Sequence, residues 1–324
     1  MFTDSHHDPT TARLDELTEW VKTLEAQINH PETYRKTQPH TEAVITSPVS
    51  MHMIDLSEFR EKFNDKMWML LEVIGKEGLS KFADIESVLE KRMPDAKINR
   101  QSVASQFRIA AKHLTKMRVL NEYTLHKVPM IPKLLLYSLT DIGDRIFQDK
   151  FFVKPVESEM ARIKRSYHSL EHGYGILSLQ KVFVGSGRYK EVSVFNRKNE
   201  NNPGAPYDYY PDIMCVPENG SYIDYFEYDL GAVSLPDLIQ KFKKMRNVTS
   251  CLNFVVQNRD ILVKRILPKV DEIVKSHGHE FLRNTIIRLT TPRMLFDNKA
   301  DRNSWLVFYD TKKSLDPVIN KIVL

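Results

Sequence analysis

A chain of 324 residues with 42% hydrophobic and 27% charged side chains has the composition of a folded globular protein. Wholesale disorder and fibrous architectures are thereby excluded, and the length predicts about two domains. Only two cysteines, Cys215 and Cys251, are present, too few for a disulfide framework or a thiolate metal site, which points to a reducing, cytoplasmic setting. The formal charge is a modest +5. No apolar run is long enough to cross a bilayer and the first residues hold no apolar signal core, so no membrane partner is expected.

In chain order, residues 1–30 form the first unit: Leu14, Leu17, Val21, Leu24 and Ile28 make an a/d stripe that predicts an amphipathic helix. At about two heptads it is too short to stand alone, so it offers a surface for a homodimer, a partner protein or the rest of this chain. Residues 31–50 are polar, proline-bearing and without hydrophobic period, a linker. Within residues 51–150 the helical period returns. Phe59, Phe63, Met67, Leu70, Leu71 and Ile74 share one face up to Gly78; a short helix opening at Ser80 or Lys81 buries Ile85, Val88 and Leu89 and ends at Pro94. Asn99 then caps a third helix with Val103, Phe107, Ala110, Ala111, Leu114 and Met117 inward. Alternation over 119–124 and 128–139 predicts a two-stranded hairpin, and Leu139-Thr-Asp-Ile-Gly143 opens a closing helix. Three helices and a hairpin predict a winged helix-turn-helix.

Residues 151–324 alternate strand and helix, with strands expected at 182–184, 192–195, 212–216, 222–229, 252–256, 286–290 and 305–309. Helices are expected at 157–177, 235–245 and 261–277. This predicts an α/β domain with a mixed sheet.

Positive charge is concentrated twice. Lys91 to Lys133 holds ten basic residues against two acids, and Lys241 to Arg293 holds twelve against four, each a net of +8. On the outer face of the third helix stand Arg100, Gln101, Ser105, Arg108, Lys112 and Lys116. A winged helix presents that face to the major groove, so DNA is the expected partner and these six residues the expected contacts.

Asn219-Gly220 lies between two strand-like runs, the strongest short hairpin signal in the chain. With those residues as the turn, paired positions sum to 439, which sets Asp212 opposite Glu227, with Asp229 two residues on along the same face. Three carboxylates then converge at one end of the hairpin, an all-oxygen site suited to Mg²⁺ or Mn²⁺. Glu171 is a candidate fourth acid. Lys241, Lys243 and Lys244 lie on the next helix, where one could reach a scissile phosphate.

Asp212 followed by Glu227-Tyr228-Asp229 resembles the PD-(D/E)xK restriction-endonuclease-like superfamily, with Asp229 where that pattern has lysine and Lys241 as the compensating residue. More narrowly, the winged helix ending in Leu139-Thr-Asp-Ile-Gly143, with an acidic-x-acidic strand leading to Gly231 and Lys241, resembles the C-class mobilisation relaxases and replication-relaxation proteins. The resemblance covers about Leu56 to Lys275. It implies a restriction-endonuclease-like fold and metal-dependent nicking of DNA at a plasmid or integrative-element origin. By position, Asp212, Glu227 and Asp229 carry the chemistry, with Lys241 beside them. The departure at Asp229 also supports a non-catalytic alternative, a relaxosome accessory factor or transcriptional regulator with a degenerate nuclease fold.

Two other signals compete. His168-Ser-Leu-Glu171-His172 matches an inverted zinc-protease motif. Tyr207, Tyr209 and Tyr210 precede Asp212 as candidate covalent nucleophiles, although His277-Gly-His279 is the only His-x-His in the chain. No Walker-type phosphate loop is present, so nucleotide hydrolysis is not expected.

Overall fold

The computed structural model describes Phe59 and residues 61–93, 100–167, 169–195, 209–220 and 222–319. The helix expected at 1–30 and the linker at 31–50 lie outside the described residues. All the described residues belong to one compact unit, which combines a helical N-terminal part with a mixed sheet.

Helix α1 (Asp65–Glu77) starts where the Asn64 side chain accepts the Met67 N–H at 3.0 Å, and stops at Gly78, whose left-handed backbone (φ 63°) turns its N–H onto Ile74. Its apolar face packs with α2 (Phe82–Arg92) and α3 (Arg100–Lys116) around Leu70, Leu71, Ile85, Leu89, Phe107 and Leu114. Burial of each such side chain is worth about 1.5–3 kcal/mol. Strands β1 (Leu120–Leu125) and β2 (Leu134–Leu139) pair antiparallel, Leu120 opposite Leu139. Thr140 then caps α4 (Asp141–Phe151) by accepting the Gly143 N–H. Gly143 has no alternative, because a β-carbon there would stand 2.2 Å from the Val119 carbonyl oxygen.

The sequence predicts one helix over 157–177, but the chain forms two, α5 (Glu159–Ser166) and α6 (Leu170–Gly185). Tyr167 is extended, and Ser169 starts α6 afresh by accepting the His172 N–H. The strand expected at 182–184 is likewise the last turn of α6, not a strand. Three apolar residues fit either period; Phe183 continues the buried line of Ile176 and Leu179, and its ring meets that of Phe226 at 4.4 Å.

Seven strands follow in spatial order: β3 (Tyr189–Val194), β4 (Ile213–Pro217), β5 (Asp224–Asp229), β6 (Cys251–Val256), β7 (Ile286–Thr290), β8 (Val307–Asp310) and β9 (Val318–Ile319). β5, β6 and β7 run parallel and the remaining neighbours antiparallel. Parallel neighbours need crossover helices. α7 (Leu235–Arg246) joins β5 to β6; α8 (Leu267–His277), entered through a π-helical turn at Leu262–Ile266, joins β6 to β7. Both pack on one face of the sheet, against Leu252, Phe254 and Val256. α6 and α9 (Pro292–Asp297) cover the other face, against Ile213, Phe226 and Val255.

Packing continues across the boundary expected at residue 150. The Val156 N–H donates to Gly75, the Met160 N–H to Ser80 Oγ, and Gln257 Nε2 to Lys127, while Lys81 ion-pairs with Glu159. Among the described residues no helix is long and apolar enough to cross a membrane.

Candidate functional site

The β4–β5 pairs are Ile213 with Phe226, Met214 with Tyr225, and Cys215 with Asp224, the register that the period-two pattern around Asn219-Gly220 implies. The turn differs from the two-residue expectation. The Gly220 N–H closes onto the Pro217 carbonyl at 2.9 Å and Gly220 itself takes φ 63°, so the strands part before the tip. At the other end, Asp212 lies one residue before β4. Phe226 and Tyr228 point into the layer under α6, which leaves Glu227 and Asp229 on the α7 side.

A cleft of about 920 Å³ opens at the carboxyl end of β5, lined by His172, Tyr209, Asp212, Glu227, Asp229 and Lys241 among others. Open α/β sheets place ligand crevices at this end of their strands. Asp212 Oδ2 accepts the Tyr228 N–H at 2.8 Å and lies 3.5 Å from His172 Nε2. Glu227 is held from both sides: the Tyr209 hydroxyl donates to Oε1 at 2.6 Å, and Lys241 Nζ stands 2.5 Å from Oε2. Asp229 Oδ1 accepts the Gly231 N–H. Gly231 has φ 84°, and a β-carbon there would press on Ile261, so this glycine lets the chain turn sharply into α7.

Position on α7 explains how Lys241 arrives. Leu238, Phe242 and Met245 face the core, and Lys241 lies beside them on the flank turned to β5. Only 4% of the Glu227 side chain is exposed, so an unpaired charge there would be costly. Burial and the nearby Asp212 push the Glu227 carboxyl above its ordinary value despite Lys241. Lys241 is held protonated, because attraction from Glu227 and Asp212 overcomes its burial. For Asp212, burial is outweighed by His172, Lys241 and the Tyr228 N–H, which together keep it below the usual carboxylate range.

Loss of the Lys241 cation should therefore be felt in stability. Lys241→Met is expected to cost roughly 3 kcal/mol, since Glu227 stays buried without its partner. Lys241→Met combined with Glu227→Gln should cost less than the sum of the two single changes. Urea unfolding of the four chains measures the difference, and strict additivity would contradict the pairing.

On α6 the structure brings His172, not Glu171, to the cleft wall. Its Nε2 faces two acceptors, the Tyr228 carbonyl at 3.1 Å and Asp212, so Nε2 carries the proton. Asp212 raises the His172 value above that of free histidine in spite of burial. His168, needed for the inverted zinc motif, lies outside the described residues, as does Tyr207. Tyr209 is buried against Glu227, with its hydroxyl pushed far up by burial and that carboxylate. Tyr210 is 44% exposed at the cleft edge. His277 pairs with Glu280 and packs on Phe281, and neither His277 nor His279 lines the cleft. Among the described residues no three His, Cys, Asp or Glu side chains are grouped to hold a metal ion by themselves.

The second candidate surface is α3. Ser105, Arg108, Lys112 and Lys116 are exposed along its outer face, and the Arg108 guanidinium lies over the Phe82 ring at 5.5 Å. The helix begins at Arg100; the side chains of Arg100 and Gln101 lie outside the described residues. Comparison of the chain with family models, curated proteins and solved structures finds no match.

Proposed function

We propose that this chain is a metal-dependent endonuclease that nicks DNA, of the kind that starts transfer or replication of a plasmid or integrative element. One observation carries the reading: Asp212, Glu227 and Lys241 meet in a single cleft, two carboxylates with an ammonium between β5 and α7. Support comes from the N-terminal part, where three helices and an antiparallel pair present a basic outer helix, the arrangement of a winged helix that reads a duplex. The mixed sheet with helices on both faces is compatible with a restriction-endonuclease-like domain.

Magnesium commonly binds through one or two carboxylates together with substrate phosphate and water. Asp212 and Glu227 fit that donor set without a third protein ligand, and Asp229 is committed to the Gly231 turn. A bound Mg²⁺ or Mn²⁺ would supply charge neutralisation and an activated water for in-line attack. The chain's own residues do the rest. Tyr228 N–H and His172 hold Asp212 in one orientation, and Tyr209 does the same for Glu227. Lys241, protonated at the cleft wall, stabilises charge that grows on the phosphate in the transition state.

The second reading is a non-catalytic DNA-binding scaffold. It draws on the fact that Lys241 and His172 already stand against both carboxylates, as in a structural polar cluster. Incubation of supercoiled plasmid carrying candidate origins with the protein and Mg²⁺ or Mn²⁺ separates the two: open circles support the endonuclease, whereas binding without nicking supports the scaffold.

Cleavage by this arrangement is expected to be hydrolytic, leaving no protein on the DNA end. Tyr209 has its hydroxyl buried against Glu227 and Tyr210 lies at the rim. Tyr210→Phe should therefore change the nicking rate by less than about threefold, since no covalent phosphotyrosyl step is lost. A denaturant-resistant band at protein-plus-oligonucleotide mass that disappears in Tyr210→Phe would show a tyrosine mechanism instead.

A further inference from the structure

A second pocket, of about 490 Å³, lies on the other exposed flank of α7 and is lined by Lys243, Arg246, Asn247 and Phe281. Its charge is unbalanced. Among the described residues Lys243, Lys244 and Arg246 have no carboxylate within ion-pair distance, whereas Lys241, two residues earlier, has Glu227. Cations near a helix C-terminus are favoured by the dipole, which accounts for their presence but not for how Arg246 is held. Its Nη2 donates to the Arg283 carbonyl at 3.3 Å, while Nε is enclosed and has no hydrogen-bond partner among the described residues. Nε is too enclosed for a ligand to reach, so what Arg246 offers the pocket is the remaining N–H groups at the end of its fork, and a phosphate oxygen is the acceptor that suits those best. Lys243 Nζ stands 5.5 Å from the centre of the Phe281 ring, and the His277 ring packs beside that phenyl, tilted by 38° with the ring centres 5.2 Å apart. The pocket thus joins an anion-seeking guanidinium to an aromatic floor.

Its position relative to the cleft gives it meaning. Lys241 and Lys244 line the cleft, while Lys243, on the other flank of the same helix, lines the pocket together with Arg246 and Asn247, which lie between one and two turns beyond Lys241. From Lys241 to Asn247 the helix rises about 9 Å at 1.5 Å per residue, two to three stacked bases at about 3.4 Å each. Lys244 stands between the two on the solvent side of the helix, exposed.

We infer that this pocket is a subsite for single-stranded DNA leaving the cleft: Arg246 and Lys243 take a backbone phosphate, and Phe281 takes the face of the neighbouring base. The inference rests on the reading of the cleft as a DNA-nicking site and adds the strand path to it.

Binding of a fluorescent twelve-residue oligothymidylate to the full chain, without divalent metal and over a range of salt, tests this. Lys243→Gln and Arg246→Gln are each expected to weaken binding about tenfold and to lower the salt slope by about 0.7. Phe281→Leu should weaken binding with the slope unchanged, because stacking releases no counterion. Lys243 is exposed, so its variant stays informative even where loss of the Arg246 contact to Arg283 harms folding. Unchanged affinity and slope in Lys243→Gln, with nicking by the wild type retained, would overturn the subsite and leave the nuclease reading standing. Competition by inorganic phosphate as effective as by the oligonucleotide would make this a free-phosphate site and overturn the strand path. Failure of the wild-type chain to bind any oligonucleotide or duplex would overturn both readings together.

Discussion

Asp212→Asn and Glu227→Gln are each expected to slow metal-dependent nicking of supercoiled plasmid by on the order of 10²- to 10³-fold while leaving duplex binding within about twofold. Both changes keep side-chain shape. The amide oxygen introduced by Asp212→Asn can still accept the Tyr228 N–H, and that introduced by Glu227→Gln can still accept from Tyr209, so what is lost is negative charge where the divalent ion and phosphate would meet. Asp229→Asn retains an acceptor for the Gly231 N–H and is expected to cost less, about tenfold or under, because that carboxylate holds the turn into α7. Gel resolution of supercoiled and open-circular DNA over time, with thermal unfolding as a check on folding, measures all three. Nicking at the wild-type rate in both Asp212→Asn and Glu227→Gln would remove the cleft from the chemistry.

The outer face of α3 carries the other large effect. Replacing Arg108, Lys112 and Lys116 together by glutamine should weaken duplex binding by on the order of a hundredfold near 0.15 M salt and flatten the salt dependence. Each phosphate contact contributes close to 0.9 to the slope, so three lost contacts lower it by about 2.7. These side chains are exposed, so the fold should be unaffected. Arg100 and Gln101, at the start of the helix, are the positions expected to set sequence preference, since the first turns of a recognition helix reach base edges. A triple variant that titrates with unchanged affinity and slope would show that α3 does not touch the backbone of DNA.

Local pattern carried a good part of this description. The helices of the N-terminal part follow from apolar spacing, from the stop at Gly78 and from the start signal in the Leu139-to-Gly143 segment, where each signal and its consequence lie within one or two turns. Strand register was equally legible: alternation over two short runs around Asn219-Gly220 allowed one pairing that buried both apolar sets, and that pairing is present. Asp212 and Glu227 could therefore be placed together from residue numbers alone.

Tertiary structure decided what spacing could not. The 182–184 segment reads as a strand by composition, yet it completes α6, because Phe183 finds Phe226 across the interface. Glu171 and His172 are adjacent in sequence and equally suited to a polar site; the Ser169 cap sets the rotation of α6, and His172 is the one that meets Asp212. Tyr209 carries no local sign of its role, which arises only when burial leaves its hydroxyl Glu227 as acceptor. Three lysines on α7 were candidates for the cleft, and the packing of Leu238, Phe242 and Met245 turned Lys241 inward and left Lys243 to a different pocket. Sequence periodicity specifies which face of an element is apolar, but the partner of a polar side chain depends on how two such faces dock, and docking is settled by the whole core at once.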